Sequence, residues 1–154
     1  MKTITCVVGS LLLLVMFCPL AMANKTVLNA EEASAFFTDR TMTIKEEMMD
    51  PKSSAPAEFK AFFSKLGGVR AIGVDGSAES YNWQVDKHGA FCARNSTRWR
   101  EAICGFVVQE NDTYGLYVNK RGNQKAKTVD GRAVFDNRWN LFLSFSDFQP
   151  GDQL

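Results

Sequence analysis

The stretch from Ser80 to Gln109, SYNWQVDKHGAFCARNSTRWREAICGFVVQ, carries the clearest structural pattern in the chain. The segments "SYNWQV" and "AFCAR" alternate between apolar and polar residues on either side of the turn "DKHG", and "AICGFVVQ" is rich in β-branched and aromatic residues. Alternation with a period of two, bounded by Gly and Asp, is typical of antiparallel strands joined by tight turns. The stretch therefore predicts consecutive β-strands.

The same pattern continues on both sides of this stretch. Toward the C-terminus, "YGLYV", "AVF" and "NLFLSF" are short apolar runs separated by polar turns. Toward the N-terminus, "RTMTIKEEM" places Met42 and Ile44 on one side of a strand. Short strands with turns about every ten residues favour an antiparallel sheet that closes into a barrel or sandwich. The predicted fold is mainly β, with a small antiparallel β-barrel or an open sheet.

One short N-terminal helix is expected before the strands. In "NAEEASAFF", Asn29 is a good N-cap and Glu32 follows three residues later, as in a capping box. Ala33, Phe36 and Phe37 share one helical face. The segment "AEFKAFFSKLGG" fits either a second helix, Phe59–Leu66, or a hairpin with strands 59–63 and 69–74, and periodicity alone leaves both open.

The N-terminus has the three parts of a secretory signal peptide. Lys2 precedes an apolar run from Val7 to Phe17, and the small residues Ala21-Met22-Ala23 follow. We expect cleavage before Asn24, which gives a signal peptide at 1–23 and a single β-rich domain at 24–154. The alternative is an uncleaved membrane anchor over the same segment. The expected location is periplasmic or secreted, with membrane contact only through the cleaved signal.

Cleavage would leave Cys92 and Cys104 as the cysteines of the mature chain. Two cysteines in an exported domain most simply form one disulfide. Closing a loop of this length stabilises a fold by roughly 3 kcal/mol in the chain-entropy account. The sequence therefore predicts a Cys92–Cys104 disulfide.

Composition and motifs exclude several classes of function. Loss of Lys2 leaves equal numbers of basic and acidic residues, which argues against a nucleic-acid-binding protein. The sequence has no Gly-rich phosphate loop, no HExxH pair and no GxSxG motif, and its one histidine, His88, has no partner cluster for a metal. We therefore expect no enzyme activity, no cofactor and no metal. Asp86 and His88 are interpreted as a polar turn, and Glu46, Glu47 and Asp50 as a solvated charge run.

Arg98, Trp99 and Arg100 lie midway between the two cysteines. An exposed tryptophan flanked by arginines has the composition of a binding hot spot, and arginine binds carboxylates and phosphates in a forked geometry. A second basic stretch, "NKRGNQKAK", begins at Asn119. The first functional hypothesis is a non-enzymatic module of the cell envelope that contacts an acidic protein or an anionic polysaccharide through these loops. The alternative is that the loops are merely solvated and that Trp99 folds back onto the barrel.

The second functional hypothesis is a calycin-like barrel that carries a small apolar ligand. Most of the phenylalanines and Trp83 are expected in the core, but some of the phenylalanines, such as Phe106, are candidates for the lining of a pocket. The oligomeric state is not predicted by the sequence.

The segments "YNWQVDKHGAFCARN" and "REAICGFVVQENDTYGLYVNKRGN" resemble an uncharacterised family of bacterial exported domains, domain of unknown function 995. The shared landmarks are Trp83, Gly89, Cys92, Cys104 and Gly115. The resemblance implies the compartment and the fold, and it favours the hairpin for residues 59–74. It implies no activity. It also favours polar turns, rather than glycosylation sites, for the three Asn-x-Thr/Ser sequons at positions 24, 95 and 111.

Overall fold

The computed structural model describes residues 25–47, 57–95, 102–119, 127–134 and 138–154. Within these residues the chain forms one helix and eleven strands, in the order β1 (Lys25–Val27), α1 (Ala30–Phe37), β2 (Arg40–Glu46), β3 (Glu58–Phe63), β4 (Gly68–Gly73), β5 (Ala78–Val85), β6 (Ala90–Asn95), β7 (Ile103–Glu110), β8 (Thr113–Asn119), β9 (Lys127–Val129), β10 (Arg132–Val134) and β11 (Trp139–Pro150). The mainly β fold with a short N-terminal helix is confirmed. The predicted signal peptide lies outside the described residues. Among the described residues, no helix is long and apolar enough to span a membrane.

The strands close into an eight-stranded antiparallel barrel. Strands β2 to β8 form a meander in which each strand pairs with the next one in the chain. β11 then pairs with β8 on one side and with β2 on the other, which closes the barrel. β9 and β10 form a separate hairpin. The prediction of a barrel or an open sheet is thus resolved in favour of the closed barrel.

The segment 59–74, for which the sequence left a helix and a hairpin open, is a β-hairpin formed by β3 and β4. The turn is closed by backbone hydrogen bonds from the Ser64 N–H to the Gly68 carbonyl (2.8 Å) and from the Gly67 N–H to the Ser64 carbonyl (2.9 Å). Phe63 is buried inside the barrel, whereas Phe62 lies on the outer face beneath the Arg70 guanidinium. The phenylalanines that fit a helical spacing in the sequence therefore lie on opposite faces of one strand.

Helix α1 closes one end of the barrel, which we call the helix end. Its residue Phe37 is fully buried and contacts rings from four strands: Phe63, Trp83, Phe91 and Phe145. The Trp83 indole N–H donates to the Ser64 carbonyl at 3.0 Å, which confirms Trp83 as a core residue with a satisfied polar atom. The opposite end of the barrel, where β2 ends at Glu46, β6 ends at Asn95 and β7 begins at Ile103, is called the open end.

The helix begins with the predicted capping box. The Asn29 side chain accepts from the Glu32 N–H, and the Glu32 carboxylate accepts from the Asn29 N–H, both at 2.9 Å. The Arg132 guanidinium of β10 donates two hydrogen bonds to the Glu32 carboxylate oxygens, at 2.5 and 2.6 Å, and a third to the Val27 carbonyl. The hydrogen bond from Arg132, followed by that from Asn29, lowers the pKa of Glu32. The β9–β10 hairpin is thus fixed to the start of the helix.

The turn between β5 and β6 is held by Asp86. Its carboxylate accepts from the N–H groups of His88 (2.8 Å) and Ala90 (2.9 Å), so the predicted polar turn is confirmed. Gly89 follows with φ +84°, and a Cβ at this position would lie 3.0 Å from the Leu28 carbonyl oxygen. Glycine is therefore needed here both for the backbone conformation and for close packing against the chain before α1.

Candidate ligand site at the open end of the barrel

The barrel interior contains a cavity of about 110 Å³, which we call the barrel cavity. Its lining is apolar except for Glu46 and Tyr81, and the full set is Ile44, Glu46, Phe59, Ala61, Phe63, Val69, Ala71, Tyr81, Phe91, Ala93, Ile103, Leu116, Phe142, Leu143 and Phe145. The space exists because alanines replace large side chains at this level. Ala61 lies directly opposite Ala71 in the β3–β4 ladder, and Ala93 contributes a third small side chain from β6. The helix end, in contrast, is filled by aromatic rings.

A wider cavity of about 560 Å³, which we call the vestibule, adjoins the barrel cavity. The two share the lining residues Glu46, Phe59, Ala71 and Tyr81. The rest of the vestibule is formed by the ends of β3, β4 and β5 and the turn between β4 and β5, with lining residues Ala57, Glu58, Gly73, Val74, Asp75, Ser77 and Glu79. The apolar space inside the barrel therefore adjoins a wider space at its open end, whose lining includes polar and acidic side chains.

The vestibule is acidic. Four of its lining residues carry carboxylates, namely Glu46, Glu58, Asp75 and Glu79. None of these four forms an ion pair with any other residue that the structure describes. Asp75 accepts hydrogen bonds from the Ser77 hydroxyl (2.6 Å) and N–H (2.9 Å), which fixes the β4–β5 turn and lowers the pKa of the Asp75 carboxyl. The lining of the vestibule thus carries four acidic side chains and no basic one.

Tyr81 lines both the barrel cavity and the vestibule, and its hydroxyl forms a hydrogen bond to a vestibule residue. Its hydroxyl donates to the Glu79 carboxylate, and its side chain also hydrogen bonds with Asn95. Burial, followed by the hydrogen bond to Glu79, raises the pKa of Tyr81 to about 12. The phenol therefore stays protonated at neutral pH and remains a hydrogen-bonding group at the edge of an apolar space.

The interpretation of Glu46 as part of a solvated charge run is wrong. Glu46 lines the barrel cavity, while Glu47 accepts from the Ser144 hydroxyl at 2.7 Å and pairs with Lys45 at 3.4 Å. Side chains alternate along a strand, so a residue two positions after Ile44 points the same way as Ile44. The inward alternation of Met42 and Ile44 was the signal that could have placed Glu46 inside. Asp50, the third acidic residue of that run, lies outside the described residues.

Phe106 does not line the cavity, so its choice as a pocket residue was wrong. It is buried on the outer face, with its ring 5.5 Å from that of Trp139, while its neighbour Val107 belongs to the interior cluster. Phe106 lies two residues after Cys104 and shares its face of β7. The phenylalanines that line the barrel cavity come from β3, β6 and β11: Phe59, Phe63, Phe91, Phe142 and Phe145.

The predicted disulfide is present. Cys92 and Cys104 face each other directly in the β6–β7 ladder, with a Cα–Cα distance of 4.1 Å. The neighbouring pair, Ala93 and Ile103, lines the barrel cavity, and it is the last pair of this ladder before the open end. The disulfide therefore joins the two strands that form one wall of the cavity.

The predicted binding residues Arg98, Trp99 and Arg100 lie outside the described residues, as do Lys120, Arg121 and Lys125. Lys127, the last basic residue of the second stretch, is exposed at the start of β9. Of the three sequons, Asn111 lies in the β7–β8 turn as predicted, whereas the prediction of a turn is wrong for Asn95, which ends β6. Asn24 also lies outside the described residues.

Comparison with known proteins found no match among protein-family models, curated proteins or solved structures. In the part of the chain that the structure describes, no group of three or more His, Cys, Asp or Glu side chains is placed to hold a metal ion. A closed barrel with an interior cavity is compatible with a binding module and with a calycin-like carrier. The functional argument therefore rests on the barrel cavity and the vestibule.

Proposed function

We propose that this protein is an exported, non-enzymatic binding protein whose barrel cavity holds the apolar part of a small molecule. The observation that carries the proposal is the apolar cavity that adjoins the vestibule at the open end. Side chains usually fill the interior of an eight-stranded barrel, or leave room for one small ligand. Here three alanines leave that room at the level where a ligand would enter.

The two volumes define the size of the ligand. A dry apolar cavity of about 150 Å³ is known to hold benzene. The barrel cavity, at about 110 Å³, suits a short branched chain or most of a single ring. The vestibule, at about 560 Å³, lies within the usual range of about 300–1,000 Å³ for ligand pockets. The ligand would therefore be amphipathic, with its apolar end inside the barrel and its polar end in the vestibule.

Filling the barrel cavity should strongly weaken ligand binding without unfolding the protein. We expect benzyl alcohol to shift the backbone amide resonances of residues around the cavity, and Ala71→Leu to weaken its binding at least tenfold, because the new side chain would occupy the site. Stability should change little or rise, since filling a void commonly stabilises a fold by about 0.5–2 kcal/mol. Titration by NMR and thermal melting of both proteins measure these effects.

The matched control is Ala78→Leu, which adds the same side chain to an exposed position of β5. It should leave binding of benzyl alcohol unchanged. The proposal fails if the wild-type protein does not bind benzyl alcohol, or if the Ala71→Leu protein binds it as tightly as the wild type.

A second candidate function is contact with an acidic protein or an anionic polysaccharide of the cell envelope through the segment that carries Arg98, Trp99 and Arg100. The observation that favours it is the disulfide, which joins β6 and β7 close to where both strands reach the open end. A loop that leaves from two cross-linked strands loses less conformational freedom on binding, at a saving of about 0.5–1.5 kcal/mol per immobilised side chain.

Changing Arg98, Trp99 and Arg100 together to alanine should abolish retention on immobilised alginate, an acidic polysaccharide, while the melting temperature stays nearly unchanged. Retention of the wild type should fall with added salt, because exposed charges are screened. The control is Lys65→Ala with Lys87→Ala, which removes two exposed positive charges at the helix end and should leave retention intact. If Trp99→Ala alone collapses the stability, Trp99 belongs to the core and this second function is excluded.

A further inference from the structure

The polar group of the ligand can be inferred from the residues at the junction between the barrel cavity and the vestibule. Four residues line both spaces, and two of them are polar: Glu46 and Tyr81. We propose that Glu46 selects a ligand whose polar group is a protonated amine. This inference rests on the proposed function of the barrel cavity.

The position of Glu46 is fixed by the strands on both sides of it. Its backbone N–H donates to the Ala57 carbonyl at 2.9 Å, and in the ladder with β11 it lies opposite Leu143. Since Glu46 lines both the barrel cavity and the vestibule, its side chain lies at the boundary between them. A ligand with its apolar end in the barrel would bring its polar end to this carboxylate.

Glu46 keeps its hydrogen-bonding capacity for a ligand. The neighbouring cation, Lys45, pairs with Glu47 and not with Glu46. Glu79 accepts from the Tyr81 hydroxyl, and Asp75 accepts from Ser77, so these two carboxylates have partners within the fold. Over the described ranges, no ion pair involves the Glu46 carboxylate, and its negative charge contributes to the raised pKa of Tyr81.

The chemistry of a carboxylate then defines the ligand class. An ionised carboxylate only accepts hydrogen bonds, so the matching group must be a donor. Bonds between two charged partners are about twice as strong as neutral ones, which favours an ammonium over a hydroxyl. Glu58, Asp75 and Glu79 in the same vestibule add potential of the same sign and disfavour an anion.

Three probes that share one ring and differ in their polar group test this preference for an amine: benzylamine, benzyl alcohol and phenylacetate. Each is titrated at neutral pH and followed by NMR. We expect benzylamine to bind about tenfold more tightly than benzyl alcohol, and phenylacetate to bind most weakly. Glu46→Gln keeps the shape of the side chain and removes its charge, so it should reduce the ratio between benzylamine and benzyl alcohol to about one.

The matched control is Glu58→Gln, which removes one charge from the same vestibule at a residue that does not line the barrel cavity. It should preserve most of the preference for benzylamine. The inference is overturned if benzyl alcohol or phenylacetate binds the wild type as tightly as benzylamine, or if Glu58→Gln and Glu46→Gln reduce the preference equally.

Failure of this inference is distinguishable from failure of the proposed function. If the probes bind without a preference for the amine and Ala71→Leu blocks all of them, the barrel cavity is a ligand site and only the role of Glu46 is wrong. If none of the three probes binds the wild type, the proposed function fails, and the inference fails with it.

Discussion

Replacing Phe37 by alanine should lower the free energy of unfolding by about 3–5 kcal/mol, the usual cost of removing a fully buried phenylalanine. Phe37 is 0% exposed and is the residue through which α1 closes the barrel. Its ring lies 4.2 Å from Phe91, 4.9 Å from Phe63 and 5.6 Å from Phe145, so one substitution leaves a void among rings of several strands. Since small domains typically have only about 5–15 kcal/mol of stability, this change should bring the protein close to unfolding at room temperature.

Chemical denaturation with urea, followed by near-ultraviolet circular dichroism, measures this loss. The control is Leu66→Ala, because Leu66 is 88% exposed in the β3–β4 turn and its truncation should cost less than about 0.5 kcal/mol. A loss below about 1 kcal/mol for Phe37→Ala would contradict the placement of α1 across the end of the barrel.

Replacing both Cys92 and Cys104 by alanine should lower the free energy of unfolding by roughly 3 kcal/mol, because the unfolded chain regains the conformational entropy that the closed loop removes. The bond joins residues 12 positions apart that already face each other in the ladder. Because the adjacent pair, Ala93 and Ile103, lines the barrel cavity, we also expect binding of benzyl alcohol to weaken. Mass spectrometry under non-reducing conditions should show no free thiol, and a protein processed by export should begin at Asn24.

Wild-type protein treated with a reducing agent is the natural control, since it should lose about the same stability as the double variant. Two free thiols in protein taken from its native compartment would contradict the disulfide. A double variant that melts at the wild-type temperature would show that the ladder between β6 and β7 needs no cross-link.

The parts of the fold that follow from local chemistry were predictable. The capping box at Asn29 and Glu32, the turn at Asp86 and the alternation around Trp83 each depend on residues close in the chain, and all three are confirmed. The closure of the barrel could not be predicted from the sequence, because it depends on the pairing of β11 with both β2 and β8. Hydrophobic alternation along a strand is the same in a closed barrel and in an open sheet.

The candidate site was harder to predict than the fold. The barrel cavity depends on three alanines from separate strands being brought to one level, and such a register cannot be derived from a single sequence. Glu46 could have been placed by alternation from Ile44, but its position beside Glu47 favoured a surface interpretation. Phe106 was misplaced because an apolar strand with residues buried on both faces, such as β7, shows no clear alternation.

The pairing of β11 with β2 has a consequence for the order of folding. The Thr41 hydroxyl donates to the Gly151 carbonyl across 110 residues of chain, whereas the meander from β2 to β8 joins neighbouring segments. Contacts between distant segments form slowly, because the entropy of loop closure opposes them until they are made. We therefore expect barrel closure to be a late step. Since β11 supplies Phe142, Leu143 and Phe145 to the lining of the barrel cavity, the ligand site would be completed only at that step, and a ligand specific for the closed barrel would act mainly by slowing its reopening.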